Sequence, residues 1–192
     1  MLHKARIWRD ARDPVSSPDA GGKASPPNKP QLSVEEQGLV DQIAKLGEGN
    51  AKLVYSRPRR IKVLAARENL VAIAKFIKDA LKFDRCANVT GTDFPKEKVI
   101  EVDYQFESME ASGLRGDVMT LSCRVPTNDP VLPSLIEVFP AVNFHERETA
   151  EMLGVVFQGH PNLTRLLLPE DWQDIPPMLK AYRLPGRLEG GE

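Results

Sequence analysis

The chain switches between two hydrophobic periods, and the switches lay out its elements. From Ser33, with Glu36 three residues on as a capping box, Leu39, Ile43 and Leu46 recur at helical spacing until Gly47 and Gly49 stop the run. Ile61, Val63 and Ala65 then share one face of a strand predicted over residues 60 to 66. A second helix is predicted from about Glu68 to Lys82, with Leu70, Ile73, Ala74, Ile77 and Leu81 as its apolar stripe and Lys75, Lys78 and Lys82 outside it. Arg85 to Asp93 reads as a short strand entering a turn at Phe94-Pro95. Strict alternation follows twice: Ile100, Val102, Tyr104 and Phe106 against Glu101, Asp103 and Gln105, then Met119, Leu121, Cys123 and Val125 against Thr120, Ser122 and Arg124. Each pattern predicts one buried and one wet face. The Ser- and Gly-containing stretch from Glu107 to Gly116 suits a long hairpin loop, and Asp129-Pro130 reads as the start of another helix, since proline is tolerated in a first turn. The sum is an α+β fold, with helices packed on a mostly antiparallel mixed sheet and a C-terminal helix-turn-extended tail.

Composition divides the chain without changing that picture. Its 192 residues, 41% hydrophobic and 28% charged, suit one packed domain with tails. Residues 1 to 31 hold Pro14, Pro18, Pro26, Pro27 and Pro30 among Ser, Gly and Asp, a mixture unsuited to a packed element. That tail is expected to be either disordered or docked on a partner through Ile7 and Trp8. The α+β domain then covers residues 32 to 142, and a signature helix with a docking extension covers 143 to 192. A net charge of -1 opposes nucleic-acid binding, which needs a strongly basic face. Lys52, Arg57, Arg59, Arg60, Lys62 and Arg67 nonetheless form an acid-free run, read as a solvated strand edge or as a surface for an acidic partner.

No apolar run approaches the roughly 20 residues that cross a bilayer. Membrane contact is therefore expected only through other proteins. Met1 to Asp13 lacks the apolar centre of a secretory signal, which makes the cytoplasm the expected compartment. Cys86 and Cys123, the two cysteines, cannot supply a four-thiolate metal or cluster site. A disulfide between them requires neighbouring strands, and reduced, buried thiols are the expectation.

The densest chemistry lies in Asn143 to Trp172. Asn143 is placed to accept from the Glu146 backbone N–H, with Glu146 reaching back, so a helix is predicted to start there. Glu148 and Glu151 fall on one face, Phe144, Met152 and Leu153 supply apolar contacts, and Gly154 is positioned for a left-handed stop. Val155 to Phe157 should run extended and buried before Gly159-His160-Pro161 reverses the chain. His145-Glu146-x-x-Thr149 lacks the second histidine of a zinc-protease helix, so metal hydrolysis is disfavoured. Glu146 and Glu148, two apart on a helix, point in different directions, which favours a salt-bridged helix terminus over a general acid/base pair. His160 reads as a turn histidine bonded to backbone in preference to a catalytic or metal role, and Arg165 is expected to pair with Glu146 or Glu148.

Glu146, Arg147, Glu148, Glu151, Gly154, Phe157, Gly159, His160, Pro161, Arg165, Leu166, Leu167, Glu170, Asp171 and Trp172, in that order, closely resemble the signature of the 30-kDa subunit of respiratory complex I. The resemblance extends over about Arg60 to Trp172. It implies a cofactor-free, non-catalytic scaffold in the peripheral arm, with those residues facing partners. The implied partners are the large quinone-site subunit, related to hydrogenase large subunits, and the subunit carrying the terminal iron-sulfur (FeS) cluster. FeS clusters and flavin would reside in partner subunits, on the cytoplasmic side of the membrane. Such a complex couples electron transfer from NADH or F420H2 to quinone, or methanophenazine, with ion translocation. Two departures stand out: Glu151 replaces a usual aspartate, and Pro177-Met178-Leu179-Lys180-Ala181-Tyr182 stands where the familiar forms read Pro-Leu-Arg-Lys-Asp-Tyr. A subunit of an F420H2 dehydrogenase or a membrane-bound hydrogenase therefore stays open. A free-standing acid/base enzyme using Glu148 and His160 is the reading from another class.

Overall fold

The computed structural model describes residues 34–46 and 51–183. The capping box at Ser33, the stop at Gly47 and Gly49 and the tail with Ile7 and Trp8 lie outside the described residues.

The first helix, α1 (Val34–Leu46), buries Leu39 and Ile43. It leads to β1 (Ala51–Arg57), β2 (Arg60–Ala65), a single 3-10 turn (Arg67–Asn69) and α2 (Leu70–Asp79). Then come β3 (Arg85–Phe94), β4 (Val99–Glu107), β5 (Val118–Pro126), β6 (Val131–Pro133), α3 (Asn143–Leu153) and β7 (Val156–Gln158). Five strands form one sheet in the order β1-β2-β5-β4-β3, antiparallel except for the parallel pair β2 and β5. β6 and β7 make a separate parallel pair. The predicted mixed, mostly antiparallel sheet with packed helices is the architecture observed.

Alternation places the core. Ile61, Val63 and Ala65 of β2, Ile100, Val102, Tyr104 and Phe106 of β4 and Met119, Leu121, Cys123 and Val125 of β5 all point to one face. The buried stripe of α2 and residues of α1 and α3 join them in one apolar cluster. Phe106 stacks on Phe139 at 4.5 Å between ring centroids. β1 does not show as alternation because its register shifts between Leu53 and Tyr55, and a bulge moves the inward set by one residue.

α2 stops at Asp79, short of Lys82. Lys82 adopts φ +62°, and the Phe83 N–H reaches back to the Ile77 carbonyl, closing the helix as a glycine-type cap does. A lysine in that left-handed conformation is strained. Lys82→Gly is expected to raise stability by about 0.5–1 kcal/mol; a lower urea midpoint in the variant would refute the strain.

The expected helix after Asp129-Pro130 does not form. Val131–Pro133 is instead β6, paired with β7. Pro133 disfavours helical geometry at Leu132, and a proline inside the helix would clash with the preceding turn.

The outward face of the sheet is less wet than alternation implies. The Lys62 ammonium donates to Glu101 at 2.7 Å and Asp103 at 3.0 Å, while Arg124 donates to Glu101 at 2.6 Å and Glu97 at 2.8 Å. Burial pushes the Glu101 carboxyl up, but these cations outweigh it and hold it below the ordinary carboxylate range. Glu101, Thr120 and Ser122 end up buried beneath the network. Cys86 and Cys123 sit on β3 and β5 with β4 between them, both buried and unbridged, and burial pushes each thiol up to about 12.

Candidate functional site

The signature helix α3 lies across β3 at Gly91, where an added Cβ would overlap Leu153 Cδ1 and approach Thr149 Cγ2 to 3.2 Å. A 3-10 turn at Pro140–Val142 feeds helical geometry directly into Asn143, whose φ and ψ are -44° and -58°. Val142 therefore occupies the cap position, no side chain caps the helix, and the reciprocal Asn143–Glu146 cap is not made. At the other end Gly154 adopts φ +77° and its N–H bonds the Ala150 carbonyl, the left-handed stop that the sequence predicts.

Freed from capping, Glu146 points into the core, where its relative exposure is 0%. Its Oε1 accepts from the Tyr104 hydroxyl at 3.0 Å and the Leu135 N–H at 2.9 Å, and its Oε2 accepts from the Ser134 hydroxyl at 2.5 Å. No cation among the described residues pairs with it, so the expected salt-bridged terminus is replaced by a buried carboxylate held by neutral donors. Burial raises its carboxyl above the ordinary value, and the three donors pull it back only in part. The same burial, then the Glu146 charge, pushes the Tyr104 phenol well up.

Three other charged members of the signature, Arg147, Glu151 and Arg165, converge on one surface loop. Glu151 accepts from three consecutive backbone N–H groups, Leu166 at 3.0 Å, Leu167 at 2.8 Å and Leu168 at 2.7 Å. Burial pushes its carboxyl up, but those three bonds carry it below the ordinary range. Arg147 donates to the Thr164 carbonyl and hydroxyl and to the Arg165 carbonyl. Arg165, expected to pair with Glu146 or Glu148, instead donates to the carbonyls of Pro169, Glu170 and Trp172. Its reach is forward because the loop folds back on the guanidinium. Trp172 meets Tyr182 at 5.7 Å between ring centroids, and the Lys180 N–H bonds Asp93 at 2.8 Å, tying residues 180–182 to β3.

The histidine turn is structural in form. His160 Nε2 lies 3.2 Å from the Asn143 carbonyl, and Nδ1 accepts the Asn162 N–H, which assigns the proton to Nε2. Gly159 takes φ +84°, and Phe157 is buried in β7, whereas Val156 beside it is exposed. Glu148, Pro161, Glu170 and Asp171 are exposed, and Glu148 makes no hydrogen bond with a described residue. Glu148 and His160 are thus not joined as an acid/base couple. Tyr104, Ser134 and Thr164 complete the constellation without being singled out by the sequence. Tyr104 left one signal, a hydroxyl on an inward strand position that needs a buried partner.

Among the described residues no group of three or more His, Cys, Asp or Glu side chains could hold a metal ion, and no helix is long and apolar enough to cross a membrane. The fold and the site define a small α+β domain whose C-terminal helix uses its charged residues to clamp its own trailing loop. Residues 63–188 match the family described as respiratory-chain NADH dehydrogenase, 30 Kd subunit, and the chain belongs to that family. Similar proteins include the C subunit of the NADH-quinone oxidoreductase of Streptomyces coelicolor, 34% identical over 179 residues that cover 90% of this chain and 66% of the relative. Its counterpart in Nocardioides is 38% identical over 122 residues, covering 62% and 48% respectively. The chain thus spans about half to two thirds of the length of these relatives. Among solved structures, the Nqo5 trypsin-resistant fragment (1-134) shares the fold with a TM-score of 0.57 and 24% identity, over 68% of this chain and all of that one. A chain of an archaeal membrane-bound sulfane sulfur reductase does so with a TM-score of 0.61 and 23% identity, over 70% of this chain and 77% of that one.

Proposed function

We propose that the chain is a non-catalytic structural and assembly subunit in the peripheral arm of a complex I-like oxidoreductase, docking through the loop that α3 holds. One observation carries the reading. Glu151, Arg147 and Arg165 bind main-chain groups of residues 164–172, which fixes the loop while leaving the Leu166 and Leu167 side chains 38% and 59% exposed. A loop immobilised with apolar side chains outward is preorganised for a protein partner, because its ordering entropy is removed before binding. The occupant we assign is the large quinone-site subunit, with the subunit of the terminal FeS cluster beside it. Clusters and flavin belong to those partners, and membrane attachment runs through them on the cytoplasmic side. The named relatives support NADH as donor and quinone as acceptor, with ion translocation following from the complex.

Co-purification from solubilised membranes tests this. The tagged chain is expected to bring down iron-containing subunits and NADH-quinone activity. Arg147→Ala combined with Glu151→Ala is expected to reduce that recovery about tenfold, equivalent to about 1.4 kcal/mol of binding, while the free chain still melts cooperatively. Turnover of a small substrate by the chain alone, abolished by His160→Ala, would overturn the proposal.

A further inference from the structure

Of the basic stretch, Arg57, Arg59 and Arg60 lie together at one corner of the sheet, whereas Lys62 and Arg67 are paired with acids away from it. β1 and β2 are joined at Pro58 and Arg59, so Arg57 and Arg60 are direct cross-strand partners. Arg60 in turn lies opposite Val118, the first residue of β5, three positions after Arg115. Arg57, Arg59, Arg60 and Arg115 are all exposed.

Arg57, Arg59 and Arg60 are held by contacts within the tip, the Arg60 guanidinium donating to the Arg59 carbonyl at 3.1 Å. Arg57 lies over the Tyr55 ring at 5.4 Å. Arg59 holds φ +62° while its carbonyl accepts the Val118 N–H at 3.0 Å, which fastens the hairpin tip to β5. Gly116, at φ +84°, leaves room for the Arg59 guanidinium, whose Nη1 would sit 3.4 Å from a Cβ built there. Like charges directly opposite one another in a sheet are destabilising, yet Arg57, Arg60 and Arg115 form no salt bridge among the described residues. Across this end of the sheet the row reads Arg57, Arg60, Val118, Glu107, Arg85. Glu107 stands two strands, about 10 Å, from Arg60, and the two form no ion pair.

Beside the tip, on the same outward face, a cleft of about 390 Å³ is lined by Lys52, Val54, Tyr55, Lys62, Leu64 and Arg124, with Glu101 already held between Lys62 and Arg124. Lys62 and Arg124 are committed there to Glu101, Asp103 and Glu97, so among its cations Lys52 alone continues the sign of the tip, and Val54 and Leu64 add apolar floor. We infer that the β1–β2 corner is a second docking surface, taking an acidic, carboxylate-rich polypeptide segment of a neighbouring subunit. Guanidinium groups held in fixed directions suit bidentate carboxylates. Anionic membrane needs no such fixed directions, and the tip itself, Arg57-Pro58-Arg59-Arg60, carries no large apolar side chain to insert. The inference rests on the proposed subunit role only in taking its partner from the same complex.

The test uses the assembled complex with a photo-crosslinking phenylalanine analogue at Arg60 and, separately, at Leu167. The Arg60 probe is expected to capture an Asp/Glu-rich segment of another subunit. Arg57→Glu, Arg60→Glu and Arg115→Glu together should lower incorporation into the complex about tenfold against wild type in the same cells, with the melting temperature of the free chain changed by less than about 2 °C. Capture of lipid or RNA at Arg60, or unchanged incorporation of the triple variant, would overturn the inference. A crosslink from Leu167 with none from Arg60 removes this surface and leaves the subunit role standing. Recovery of the chain with no other subunit removes both.

Discussion

Glu146→Ala is expected to destabilise the full chain by about 3–5 kcal/mol, because three buried donors lose their shared acceptor, less the relief from removing a buried charge. It should be read as a fall in urea midpoint at unchanged slope. The side chain is fully buried, and its removal leaves the Tyr104 hydroxyl, the Ser134 hydroxyl and the Leu135 N–H without their acceptor. Each stranded donor costs about 1–3 kcal/mol, which outweighs any relief from removing the charge. Glu146→Gln separates charge from shape. Its carbonyl can keep the Tyr104 and Leu135 bonds, both made to Oε1, while its amide donates to Ser134 Oγ; the loss should stay below about 2 kcal/mol. The pH dependence distinguishes the two states of the carboxyl. A carboxyl whose folded pKa is raised binds its proton more tightly in the folded chain, so its contribution is full below the ordinary carboxylate value and is lost as pH rises through the folded one. Wild type should therefore lose stability relative to Glu146→Gln as pH climbs from about 4. A pH-independent difference would show that the carboxyl is not perturbed by burial.

Gly91→Ala should cost about 1–3 kcal/mol, as overpacking does in a filled core. Glycine in a strand interior ordinarily loses about 0.5–1 kcal/mol to alanine, so the sign itself is diagnostic. The contact that reverses it is the overlap with Leu153 Cδ1, a side chain buried between α3 and the sheet. Leu153→Ala opens that space at a cost of its own, about 2–5 kcal/mol. The double variant should be less destabilised than the sum by about 0.5–3 kcal/mol, the coupling expected of touching residues. Strict additivity would place the strain of Gly91→Ala elsewhere.

Strands β4 and β5 and helix α2 were legible because each buries one face, and the period of the pattern is the geometry of the element. β1 was less so, since its bulge breaks the period. The failure at Asp129-Pro130 has a different origin. The residues there suit a helix start locally, but Pro133 and the pairing with β7, more than twenty residues downstream, outweigh that preference. Within the signature, Gly154 and Gly159 were readable because a positive φ is a local demand. Glu146 was not. Its partners come from Tyr104 and Ser134, 42 and 12 positions away, and nothing in the spacing of Glu146, Arg147 and Glu148 tells which one turns inward.

By itself the sequence determined the α+β class, the core faces of β2, β4, β5 and α2, the helix stop at Gly154 and, through the order of residues from Glu146 to Trp172, the family. These follow from local rules of period, turn chemistry and residue type. Only the tertiary structure decided what the charges do: Glu146 bound by neutral donors in the core, Glu151, Arg147 and Arg165 committed to the backbone of one loop, and Arg115 brought beside Arg57, Arg59 and Arg60 at the β1–β2 corner. Charge partners are chosen by proximity in space, and proximity between residues far apart in the chain is set by packing.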